Sequence, residues 1–114
     1  MNKAVTETET EATASVSCRR SASHRVVNFT RAVAAEPAKY NITCNCICPG
    51  YFATELTEDV LSTESFTAYM KATVPPGRYG KSGELNAGAI FLAGDEASYV
   101  TGVILPIDGG YTAI

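Results

Sequence analysis

The 114 residues are 46% hydrophobic and 18% charged, with no tryptophan, a composition that fits one globular domain at most, with a modest core. Nine basic and twelve acidic residues leave a net charge of −3, and the basic ones form neither patch nor stripe, which argues against nucleic-acid binding. No apolar run approaches the roughly 20 residues that span a bilayer, so no membrane partner is expected.

Residues 1–17, MNKAVTETETEATASVS, are a Thr/Glu/Ala run with two valines. Such a segment has little to bury and is expected to be a disordered tail. Glu7, Glu9 and Glu11, with no arginine before Arg19, argue against a transit peptide. The short basic cluster CRRSASHR follows, and a disordered or divergent tail is expected over 1–23.

From His24 to Tyr40 the spacing is helical. Val26, Phe29 and Val33 share one face, and Val27, Thr30, Ala34 and Ala38 make a second, small-residue face, so the helix is expected to pack on more than one neighbour. Pro37 ends or kinks it, and Asn41 suits the left-handed position that closes a helix. ITCNCICPG (42–50) reads as a buried strand ending in a turn. Residues 54–73 carry Leu56, Val60, Leu61, Phe66, Tyr69 and Met70 in one or two amphipathic helices with Ser/Thr breaks. VPPGRYGKSG (74–83) is loop. Ser82 is expected to cap the next helix, with Glu84 in its first turn, and Gly94 to stop it. VILPIDGG (103–110) reads as a second buried strand. A strand–helix–strand unit of this length implies parallel strands with a right-handed crossover, and helices before and after the first strand supply cover for both faces.

Cys44, Cys46 and Cys48 alternate along the first strand, which puts them on one face at steps of about 6.5–7 Å. A shared zinc needs every sulfur at about 2.3 Å, so no metal is assigned and the cysteines are read as small buried hydrophobes. No secretory segment precedes them, which makes a reducing cytoplasm the expected location.

Pro49-Gly50 lies at a strand's carboxyl end, where ligands of open α/β sheets sit. Proline fixes the chain direction and glycine permits close approach. Free N–H groups after the turn and the Thr54 hydroxyl would suit a flat amide, and the helical stretch behind them would make a lid. The plain alternative is a turn with no further role.

VVNFTRAVAAEPAKYNITCNCICPGYFATEL and PPGRYGKSGELNAGAIFLAGDEASYVTGVILPIDGGYTA resemble the C-terminal part of a short-chain dehydrogenase/reductase, closest to its gluconate 5-dehydrogenase-like members, over about residues 26–113. The resemblance implies an α/β chain: the C-terminal part of a Rossmann-type doubly wound parallel sheet, about two strands with helices on both faces, spanning 24–114 behind the tail. It implies NAD or NADP as cofactor, a small alcohol or ketone substrate with a sugar acid among the candidates, and a homo-oligomer or a full-length relative as partner. It also implies that Pro49, Gly50, Tyr51, Phe52 and Thr54 line a nicotinamide ring, with the backbone near Phe52 and the Thr54 hydroxyl meeting its carboxamide, and that 56–72 form a substrate lid.

Members of that family hold the cofactor pyrophosphate on an N-terminal Gly-rich turn, whereas Gly50 is the first glycine here. The family's catalytic Tyr and Lys fall at positions held by Arg19 and Ser23, which cannot perform that proton transfer. The reading is of a truncated or rearranged form without catalytic residues, inactive alone. His24 as a substitute proton carrier is weighed against a solvent-facing residue near a helix start, and Tyr40 and Tyr51 against packing roles; the bland readings are preferred. Two other readings stand beside descent from an oxidoreductase: a non-catalytic module that associates with itself or a full-length relative, and a remnant of marginal stability with open sheet edges.

Overall fold

The computed structural model describes residues 3–8, 22–55 and 57–114. It contains strands β1 (Lys3–Thr8), β2 (Ile42–Pro49) and β3 (Ile104–Ile107) and helices α1 (Ala22–Ala34), α2 (Glu58–Leu61), α3 (Glu64–Thr73) and α4 (Asn86–Ala93). The strands form one parallel sheet in the order β1-β2-β3. Lys3 pairs with Ile42 and Thr8 with Ile47 on one side, and Cys46 with Ile104 and Pro49 with Ile107 on the other.

The α/β class and the parallel pairing of the two expected strands agree with the sequence. The sheet holds one strand more than the two expected, β1, within the stretch read as a tail. That reading weighed apolar content alone. KAVTET carries three β-branched residues, which favour strand backbone, and a parallel ladder binds main chain to main chain whatever the side chains. The rest of the expected tail up to position 21, with Cys18 and Arg19, lies outside the described residues, as does Leu56.

α1 uses its small-residue face. Thr30 and Ala34 are buried, whereas Phe29 is exposed; small side chains let the helix axis approach the sheet. An added Cβ on Gly102 would meet Ala34 Cβ at 3.5 Å, so α1 lies over the face that carries Cys44, Cys46 and Cys48. α4 lies over the other: a Cβ on Gly88 would run into the side chains of Ile107 and Leu105, which share their face with Ile47 through the register. With the strands in sequential order and their two connecting layers on opposite faces, the two crossovers have opposite hands. One of them therefore departs from the right-handed rule.

α1 ends before Pro37, and a 3-10 turn, Pro37–Tyr40, closes on Asn41 at φ 59°, the left-handed residue the sequence calls for. In this tight turn Lys39 Nζ reaches 5.1 Å from the centroid of the exposed Tyr40 ring, so Tyr40 is no packing residue. Residues 54–73 divide into α2 and α3 where the Ser62 and Thr63 hydroxyls donate to the carbonyls of Asp59 and Val60 at 3.1 and 2.8 Å. Side-chain capture of backbone groups is how Ser and Thr end short helices. Before α4, Glu84 rather than Ser82 organises the turn: its carboxylate accepts the Lys81 N–H at 2.6 Å. β3 is shorter than expected, and its Pro106 is tolerated because β3 pairs on one side only among the described residues.

β2 is the buried centre, with Ile47 at 0% and Asn45 at 1% exposure. Both polar atoms of the Asn45 amide are engaged: Nδ2 donates to Val100 O at 2.9 Å and Oδ1 accepts from Val103 N at 3.0 Å. It thereby clasps the loop that leads into β3. A second cluster forms beyond the sheet's carboxyl end, where Tyr51, Met70 and Val74 are buried with Phe66, Tyr79 and Tyr111 packed around them.

Candidate functional site at the end of the central strand

The chain leaves β2 at Pro49-Gly50 beside the end of β3, where Gly50 N donates to Ile107 O at 2.9 Å. A Cβ at Gly50 would stand 2.6 Å from Asp108 Cα and 2.7 Å from Asp108 Cβ. The close approach that glycine permits here is thus to the chain's own backbone. Asp108 in turn fixes the following turn: Oδ1 accepts from Gly110 N at 2.9 Å, and Oδ2 from Thr112 N at 3.0 Å and Thr112 Oγ1 at 2.6 Å.

Tyr51 points inward, 7% exposed. Its ring meets Phe66, Tyr69 and Tyr111 edge-on at centroid distances of 5.5, 6.2 and 5.8 Å, a favoured aromatic arrangement. Tyr51 is therefore the packing residue the sequence suggests, and it anchors α3 to the turn. Phe52 lies against Gly80, where a Cβ would meet its ring at 2.4 Å. Gly80 N donates to Tyr51 O at 2.7 Å and Ala53 N to Gly80 O at 3.3 Å, so the 74–83 loop is strapped to the turn.

Thr54 is organised by Thr57, a residue the sequence reading missed. Thr54 N donates to Thr57 Oγ1 at 3.0 Å, and the two hydroxyl oxygens are 2.8 Å apart. Buried Thr57 has one hydroxyl proton and carbonyl acceptors at Phe52 O and Thr54 O, each 3.4 Å away. With that proton on a carbonyl, Thr54 donates to Thr57 and the exposed Thr54 oxygen keeps acceptor capacity; with it on Thr54 Oγ1, the Thr54 hydroxyl keeps its own proton to donate. The Thr-x-x-Thr spacing at 54–57 was the available signal. The N–H groups of Ala53 and Thr54, expected to be free, are both used internally.

A cleft of about 410 Å³ opens beside these residues, lined in part by Tyr51, Phe52, Arg78, Tyr79, Ile107 and Asp108. Pro49 and Thr54 do not line it. At its rim Arg78 and Glu84 form a two-point pair, both N–O distances 2.8 Å. The Arg78 hydrogen bond, then the Lys81 N–H, hold the Glu84 carboxyl at about 2, below its ordinary 4.5. A depressed carboxyl pKa stabilises the fold above the ordinary value, and that contribution disappears as pH falls through the folded value. A carbon-detected NMR titration is expected to give Glu84 a midpoint near 2 in the native protein and a higher one in Arg78→Met, still held down by the Lys81 N–H. An ordinary midpoint in both would refute the pair.

His24 is exposed at the start of α1. Arg19 lies outside the described residues. Among the described residues no group of three or more His, Cys, Asp or Glu could hold a metal ion, and no helix is long and apolar enough to cross a membrane.

Comparison with known proteins adds the following. The family model described as Enoyl-(Acyl carrier protein) reductase matches residues 7–112. Gluconate 5-dehydrogenase of Gluconobacter oxydans is 39% identical over 87 residues, covering 76% of this chain and 34% of the relative. Galactitol 2-dehydrogenase (L-tagatose-forming) of Cereibacter sphaeroides is 48% identical over 88 residues, with coverage of 76% and 34%. The chain thus spans about a third of the length of these relatives. The crystal structure of a gluconate 5-dehydrogenase from Burkholderia cenocepacia, in complex with NADP and tartrate, superposes with a TM-score of 0.73 at 36% identity, over 80% of this chain and 36% of that one.

Proposed function

From the premise that this chain belongs to the short-chain dehydrogenase/reductase family, we propose that its Pro-Gly turn is the nicotinamide-facing wall of an NAD(P)-dependent alcohol/ketone oxidoreductase site. The carrying observation is the Thr54–Thr57 hydroxyl pair, 2.8 Å apart at the carboxyl end of the parallel sheet. It leaves the exposed Thr54 hydroxyl able to accept from or donate to a carboxamide. Phe52, ordered by Gly80, offers backbone and ring beside it. When bound, the cofactor would supply hydride chemistry. What this chain contributes is orientation of the amide by Thr54 and Phe52, and cover by α2 and α3 through the Tyr51 anchor. Pro49 and Gly50 set the direction of the turn rather than touch the ligand.

The residues present fit the carboxamide end and not the pyrophosphate end. No glycine precedes Gly50, so the close backbone approach that a pyrophosphate takes in this family has no counterpart before the turn. With Arg19 and Ser23 at the positions of the proton-transfer pair, the 114-residue chain alone is proposed not to turn over. A sugar acid is the proposed substrate class, supported by the gluconate-named relatives. Self-association or pairing with a full-length relative is supported by exposed Ile90 and Phe91 on α4, and a cytoplasmic location by the thiols of β2.

The test is NMR titration with reduced nicotinamide mononucleotide, which lacks the adenosine half. Shifts at Phe52 and Thr54 are expected, and Thr54→Val should abolish them without altering the fold. Shifts confined to other residues would overturn the proposed wall. Steady reduction of a ketone by this chain with NADH would overturn its proposed inactivity.

A further inference from the structure

We propose that Cys46 and Cys48 form a two-thiol site for a soft, thiophilic three-coordinate centre such as trivalent arsenic, lodged beneath the Pro-Gly turn. Their sulfurs are 3.8 Å apart, although their positions differ by two along the strand. Side-chain rotation has closed a gap that strand rise alone leaves near 6.5–7 Å. Two bonds of about 2.3 Å, typical for metal–thiolate contacts, made to one atom from sulfurs at this separation subtend roughly 110°. That angle suits a tetrahedral or pyramidal centre. A direct S–S bond is less suitable, since a bridge wants Cα atoms no more than about 6.8 Å apart, and neighbouring same-face positions of an extended strand stand at that limit.

The number of ligands selects among soft centres. Zinc needs four, and the described residues offer no third His, Cys, Asp or Glu to complete such a group. An organoarsenic(III) centre carries its own carbon substituent and needs only two sulfurs. Half-buried Cys48 gives the entry point and buried Cys46 the second bond. With phenylarsine oxide the step is condensation: both S–H protons and the arsenic-bound oxygen leave as one water, two As–S bonds form, and arsenic stays trivalent. The strand is the rigid middle of the sheet, so the two thiols are held together before the ligand arrives.

The test is native mass spectrometry of the intact chain with phenylarsine oxide. One arsenical per chain is expected, removed by 2,3-dimercaptopropanol and retained in excess monothiol. Cys48→Ser and Cys46→Ser should each lose this adduct, while Cys18→Ser and Cys44→Ser keep it. Proteolytic mapping of the wild-type adduct adds a check that needs no variant: arsenic belongs on the peptide between Lys39 and Lys71, which holds Cys44, Cys46 and Cys48, with Cys18 unmodified. Amide shifts at Gly50 and Tyr51 on loading are expected from the site's position. An adduct that includes Cys18, survives Cys48→Ser, or forms only after denaturation would overturn the assignment, as would no adduct at all.

Discussion

Gly50→Ala is expected to destabilise the fold by about 3 kcal/mol, at the upper end of overpacking costs. The reason is steric and local. The new methyl would stand 2.6 Å from Asp108 Cα, a backbone atom that cannot swing aside. Asp108 is itself held by its carboxylate bonds to Gly110 and Thr112, so relief has to come from parting the ends of β2 and β3. That movement stretches the Gly50 N to Ile107 O bond, 2.9 Å in the native fold. Urea unfolding should show the lower midpoint with an unchanged slope, and nicotinamide mononucleotide should no longer shift Phe52. A variant as stable as the parent would mean that the two strand ends are not in contact.

Asn45→Ala should cost roughly 2–4 kcal/mol, because it leaves two backbone groups, Val100 O and Val103 N, without their partner in a part-buried place. Asn45→Leu fills the volume and leaves the same two groups unpaired, so it is expected to recover little. Hydrogen exchange separates this from simple loss of packing: Val103 N–H, slow in the native protein, should become fast in both variants. If Asn45→Leu matched the wild type in stability, the clasp would be ornamental, and water would have to serve Val103 equally well.

Much of the local structure was legible because it rests on near neighbours. Asn41 in the left-handed region, the break between α2 and α3 at Ser62-Thr63 and the stop at Gly94 all follow from residues a few positions apart. The place of the candidate site was legible, since the Pro-Gly turn does end a parallel strand. Its details were not. Gly50 answers to Asp108, Phe52 to Gly80 and Asn45 to Val100 and Val103, and those partners are brought in only by the folded sheet. β1 escaped notice because a strand held by main-chain pairing needs no apolar alternation. The cysteine sulfurs were placed by strand rise, which fixes Cα positions and says nothing of the rotation that brings two of them together.

The phenol groups of Tyr69 and Tyr111, 3.1 Å apart, carry a mechanical consequence. Tyr69 sits on α3, and Tyr111 begins the last turn of the chain. α3 is thus tied to Tyr111 as well as to the turn through Tyr51. Displacing α3 means breaking that contact too, so a fusion joined directly after Ile114 is expected to disturb α3 as well as residues 111–114.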